Sequence, residues 1–229
     1  MKYPTLLERF HTYVQIDTQS DPHSPTVPST LKQKDLARVL VDELLAMGVS
    51  DAHMDELGYV YATVPASPGH ESAPAVCFCA HMDTSPDCSG SSVKPIVHPY
   101  YHGQDLFLPD DPSIVIRLAE HPDLAEQIGN DIITASGTTL LGADNKAGLA
   151  EIMDAVAFWT THPDVQHGPI TILFTPDEEV GRGTDHVDMQ KIKAKYGYTL
   201  DGEKRGHLEN ETFSADGFAV KIQGVSQHP

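Results

Sequence analysis

"GPITILFTPDEEVGRG", residues 168–183, decides how the chain is read. Residues 169–174 are an apolar run rich in β-branched side chains, with Gly168 before it and Pro176 after it. That is the pattern of a short buried strand. Directly beyond its end stand Asp177, Glu178 and Glu179. Adjacent carboxylates repel, so a strand end that gathers them calls for a nearby positive partner.

Working outward, "NKAGLAEIMDAVAFW" (145–159) spaces Leu149, Ile152, Met153, Val156 and Trp159 along one helical face. Residues 36–48 have apolar positions at Leu36, Val39, Leu40 and Leu44 and a stop at Gly48, which predicts a second helix. Strands are predicted over 59–64, 75–80, 198–200 and 217–224, and shorter helices over 113–121 and 188–197. Residues 20–29, "SDPHSPTVPS", form a Pro/Ser-rich loop. Strands alternating with helices predict an α/β three-layer sandwich with a central mixed sheet covered on both faces. In such sheets sites form beyond the carboxyl ends of the strands.

The composition bounds the function. With 229 residues, 40% hydrophobic and 21% charged, the chain can bury an ordinary globular core. Lys plus Arg is 15 against 33 Asp plus Glu, a formal net charge of −18, which argues against nucleic-acid partners and an anionic membrane surface. Cys77, Cys79 and Cys88 are an odd set without the second pair a zinc ribbon needs, and they predict a reducing, cytoplasmic compartment. Pro4, Glu8 and Arg9 interrupt the place where a signal peptide would be apolar. The longest apolar stretch, "APAVCFCA", is too short to span a bilayer.

Four strand ends or turns carry acids or histidine: "FCAHMDT" with His81 and Asp83, "LLGADNKAG" with Asp144, "LFTPDEE" with Glu178 and Glu179, and "YTLDGE" with Asp201. All fall at one edge of one sheet. Five carboxylates and an imidazole converging without a cation would repel or take up protons, and divalent metal resolves this. Two ions compensate more of the acids than one, and a bridging carboxylate holds such a pair together. Of the adjacent glutamates, one ligates and the other moves a proton. Asp83, two residues after His81, either orients the imidazole or caps a turn. Asp177 reads as a cap beside Pro176, and His102 and His186 as surface or outlying groups.

"HMDTSPD" (81–87), "LLGADNKAGLAEIM" (140–153), "TPDEEVGRG" (175–183) and "YTLDGE" (198–203) resemble, in order and spacing, the peptidase T family of di-zinc tripeptide aminopeptidases. A wider family adds aminoacylases and related carboxypeptidases. The resemblance implies that His81 and Asp201 hold one zinc, Asp144 bridges, Glu179 holds the second zinc, Glu178 is the general base and Asp83 orients His81. It also implies a cis peptide after Asp144. The implied reaction is release of the N-terminal residue of a tripeptide by a hydroxide shared between two zinc ions, in a cytoplasmic homodimer. A dipeptidase, an N-acyl amino-acid deacylase and a non-catalytic fragment that binds metal or peptide are the alternatives.

Against that family pattern, residues 1–211 correspond to the catalytic domain and 212–229 to the first strand of an inserted α+β lid and dimerisation domain. His228 corresponds to a lid histidine that helps bind the substrate. The returning segment with the family's last zinc-ligand histidine has no counterpart, which predicts a truncated chain with weak or no turnover alone. Asn145 and Glu203 also depart from the family pattern, without changing the ligand set.

Overall fold

The structure, a computed structural model, describes residues 3–202, 204–211, 214, 216, 218–225 and 227. Among the described residues three α-helices are present: α1 (Leu6–Val14), α2 (Gln33–Ala46) and α3 (Ala143–Thr161). The strands are β1 (His53–Met54), β2 (Val60–Val64), β3 (Val76–His81), β4 (Ile96–His98), β5 (Leu106–Phe107), β6 (Val115–Ile116), β7 (Ile132–Thr134), β8 (Ile170–Thr175) and β9 (Tyr196–Thr199). Five of them form one mixed sheet in the order β1-β2-β8-β3-β9, and β4-β7 and β5-β6 form two small antiparallel pairs.

The sheet has one buried centre. Every residue of β8 is buried, as a strand covered on both faces should be. Alternate residues divide between two clusters. Val60, Ala62, Val64, Ala80, Ile170, Ile172 and Phe174 pack with all three helices, including Leu40, Leu149 and Met153. Tyr59, Tyr61, Cys77 and Leu173 face the other way, against Val187, Ile192 and Ala194. A capping box between Thr5 and Glu8 starts α1. Arg9, with a fully buried side chain, binds Glu43 of α2 and Asp154 of α3 and so ties the three helices together.

The pairing places the strand ends. β3 runs parallel to both β8 and β9 and lies between them, with His81 opposite Thr175. Parallel neighbours end on the same side of the sheet. The segments that leave β3, β8 and β9 therefore meet at one rim.

The expected α/β architecture is present, and the predicted elements at 36–48, 59–64, 75–80, 145–159, 169–174 and 198–200 correspond to α2, β2, β3, α3, β8 and β9. Three predicted elements differ. Residues 113–121 do not form a helix: Val115 and Ile116 pair with Leu106 and Phe107. Consecutive β-branched residues there favour the extended chain over a helix. Residues 188–197 form turns until Tyr196 enters β9. Only Ile192 and Ala194 of that stretch reach the sheet while Met189 is exposed, too little apolar face to hold a short helix. The described part of 217–224 is not a strand, and Phe218, Val220 and Ile222 are exposed. Among the described residues nothing pairs with it, and a lone strand leaves its backbone unsatisfied.

Candidate metal centre

His81 is the last residue of β3 and is almost fully buried. Its Nδ1 lies 3.0 Å from the backbone oxygen of Asp83 and 3.4 Å from Asp83 Oδ1. That contact turns Nε2 toward the acids. Asp144 Oδ1 is 2.9 Å from Nε2, Glu178 Oε2 3.6 Å and Asp201 Oδ1 3.8 Å. Potential ligand atoms of His81, Asp144 and Asp201 all lie within 4.8 Å of one another.

Each acid arrives there for a local reason. Asp144 sits in the first turn of α3, where its φ and ψ are not helical and the Asp144–Asn145 peptide is cis. Gly148 lets that turn approach β9. A Cβ at this position would collide with the Leu200 carbonyl oxygen and with Asn145 Oδ1, which only glycine avoids. Asp201 follows Leu200, whose N–H donates to the Cys79 carbonyl at 2.8 Å and extends the parallel pairing. Glu178 and Glu179 form a single 3-10 turn after β8. Their backbone N–H groups donate to the two carboxylate oxygens of Asp83, at 2.9 and 3.1 Å. Asp83 is fully buried, so one carboxylate both caps this turn and backs the His81 ring. The turn-cap and imidazole-orienting readings of Asp83 thus describe a single arrangement.

Electrostatics mark the same rim. Burial raises Glu179 to about 7, with the charges of Asp144, Asp83 and Glu178 adding to it. Burial likewise raises Asp201 to about 6, with Asp144 and Glu178 contributing. Burial opposes a charged His81, but hydrogen bonds to Asp144 and Asp83 and the nearby acids outweigh it and push the imidazole up to about 10. The His81 hydrogen bond, against burial, holds Asp144 below the usual carboxylate range. An imidazole nitrogen facing carboxylate oxygens is the donor set zinc accepts, and the residues present fit a divalent ion.

The structure brings His81, Asp144 and Asp201 into one group, with Glu178 beside it. Glu179 lies outside that close group but within electrostatic range of Asp144. His228 and Glu203 lie outside the described residues. His102 and His186 are exposed and stand apart from the group. Asp177 is not a simple cap: it is fully buried and bound to Ser29 and Gln33. Its left-handed φ of 57° and partners far away in sequence leave no local signal that sequence reasoning could use. A cavity of about 470 Å³ lies beside the loop that follows Asp83, lined by Ser20, Asp21, His23, Lys32 and Asp87 among others.

Fold and rim together define an α/β chain with acids and a histidine gathered where three parallel strand ends meet. Comparison with known proteins makes this specific. The chain is similar to a peptidase T of Desulfitobacterium hafniense (strain Y51), 50% identical over 225 residues, or 98% of this chain and 54% of that protein. Among solved structures it resembles the aminopeptidase PepT from Bacillus cereus ATCC 10987, with a TM-score of 0.61 at 26% identity, over 87% of this chain and 43% of that one. It also resembles the aminoacylhistidine dipeptidase from Vibrio alginolyticus, with a TM-score of 0.58 at 26% identity, over 88% and 33% of the two chains. No family model matches. The resemblance read from the four motifs is thus one to peptidase T, and the chain spans about half the length of the curated relatives it matches.

Proposed function

We propose that this chain carries the catalytic domain of a metal-dependent aminopeptidase that releases the N-terminal residue from tripeptides. The observation that carries the reading is the group of His81, Asp144 and Asp201 at one sheet rim, with Glu178 Oε2 3.6 Å from His81 Nε2. In this reading His81, Asp144, Glu179 and Asp201 would hold the zinc ions. Bound divalent ions would supply carbonyl polarisation and a more acidic water. Glu178, held on its turn by Asp83, takes up the proton of the attacking water and delivers it to the leaving amine. Asp83 keeps the His81 ring in one orientation throughout.

Residues 1–211 make the catalytic unit in this proposal, and 212–229 lead into a lid. A homodimer and a cytoplasmic location belong to the same reading. Among the described residues no helix is long and apolar enough to cross a membrane. The likeness to an aminoacylhistidine dipeptidase favours a second reading within the class, a dipeptidase.

The test is hydrolysis of tripeptides and dipeptides by the 229-residue chain, with and without chelator, beside Glu178→Ala and a count of bound zinc. Weak, chelator-sensitive release of the N-terminal residue from tripeptides, lost in Glu178→Ala with zinc retained, is the expected result. A preference for dipeptides selects the second reading. Zinc uptake without any hydrolysis in either protein contradicts catalysis by this chain and leaves a metal-binding fragment.

A further inference from the structure

The Pro/Ser-rich loop at 20–29 takes no part in the proposed reaction, yet it is bound to the turn that bears Glu178 and Glu179. The link runs through Asp177. Its carboxylate accepts the Ser29 N–H at 2.7 Å, the Ser29 hydroxyl, and the Gln33 side-chain amide at 2.8 Å. Its own N–H donates to Gln33 Oε1 at 3.1 Å. Ser29 Oγ in turn accepts the Asp21 N–H at 2.9 Å. A second tie lies beyond the turn: Arg182 donates to the Ser24 carbonyl at 2.9 Å. The Arg182 N–H closes the turn onto the Asp177 carbonyl at 2.9 Å.

This arrangement has a cost. Asp177 sits at φ 57°, the left-handed region that side chains other than Asn, Asp and Gly seldom adopt. Its buried charge is met by hydrogen-bond donors alone, among the described residues. Such a group is destabilising when any donor is lost. Gly183 completes the seat, since a Cβ there would lie 3.1 Å from the Cα of Glu178.

We propose that Asp177, clamped by Ser29 and Gln33, is a positioning residue that fixes the Glu178–Glu179 turn over the metal group. The loop at 20–29 and the start of α2 thereby become part of the site without touching it. This rests on the metallopeptidase reading for its consequence, but not for the clamp itself.

Two measurements on the 229-residue chain test it, with Ser29→Ala and Asp177→Asn. Asparagine keeps the left-handed backbone and removes the charge, and Ser29→Ala stands in should Asp177→Asn fail to fold. Backbone amide exchange is expected to quicken at least about tenfold at Glu178 and Glu179 in both variants, with Ile172 and Phe174 unchanged. The visible absorption of bound cobalt is expected to change in both, although neither residue lies at the metal group. Unchanged exchange, or exchange raised equally along β8, overturns the clamp. Faster local exchange with an unaltered cobalt spectrum overturns the positioning role and leaves a purely structural one. A wild-type chain that takes up no cobalt overturns the metal reading, and with it the positioning role, while the exchange result still decides the clamp.

Discussion

Asp83 shows how much one buried carboxylate can organise. It has no solvent access, accepts the N–H groups of Glu178 and Glu179, and stands against Nδ1 of His81. Hydrogen bonds to a charged group contribute roughly 1.5–3 kcal/mol each. Asp83→Ala is therefore expected to cost about 3 kcal/mol or more in urea denaturation of the metal-free chain. A loss within about 0.5 kcal/mol, the range of an ordinary surface change, would contradict this role. His81, Asp83, Asp144 and Asp201 were legible because histidine and acids directly after apolar runs are chemically conspicuous. Asp177 was not, because its role depends on a backbone angle and on partners 148 and 144 residues away.

Elements long enough to show a period were readable. β8 is six uninterrupted buried residues, and α3 keeps its apolar face from Leu149 to Trp159, about three turns. The two-residue strands β1, β5 and β6 carry no period at all and exist only through their partners. The segment at 188–197 was misread because its few apolar residues serve the sheet rather than a helix face. The contact that decides the site at this scale is α3 against β9 at Gly148. A methyl group there meets the fixed backbone carbonyl of Leu200, which cannot move aside as a flexible side chain would. Gly148→Ala is expected to destabilise the chain by about 2–3 kcal/mol and to lower zinc uptake with it. Gly202→Ala, with nothing within 4 Å of the added atom, is the control and should change stability by less than about 0.5 kcal/mol. Equal denaturation midpoints for the two variants would remove Gly148 from the account.

At the scale of the molecule, five of the 33 acidic residues, Asp83, Asp144, Glu178, Glu179 and Asp201, stand about one rim. Three groups there bind protons more tightly when folded: Asp201 rises from 3.8 to about 6, Glu179 from 4.5 to about 7, and His81 from 6.5 to about 10. A raised group stabilises the fold fully below its unfolded value and loses that contribution as pH passes its folded value. All three act in the same direction. The metal-free chain is thus expected to lose stability from about pH 4 to pH 8, above which Lys146, lowered by burial to about 8, acts with the opposite sign. Asp144 is lowered and has the opposite sign, but it acts only below its ordinary value of 3.8. Melting temperatures of chelator-treated protein that climb between pH 5 and 8 would contradict this.

Elsewhere the molecule leaves apolar surface uncovered. Tyr196 and Tyr198 on the edge strand β9 are 50% and 44% exposed, and Leu208, Phe218, Val220 and Ile222 are more so. Among the described residues no strand pairs with the outer side of β9, and an open sheet edge is a place where another segment pairs. No pattern in the sequence could identify that segment, because pairing depends on the partner.

The central claim is that the acids at the rim are gathered around divalent cations. Zinc titration of the chelator-treated chain by calorimetry, beside Asp144→Ala, tests it most directly. The account predicts saturable zinc binding by the wild-type chain that weakens at least about tenfold, or 1.4 kcal/mol, in Asp144→Ala. Absent binding, or equal affinity in the two proteins, would contradict it.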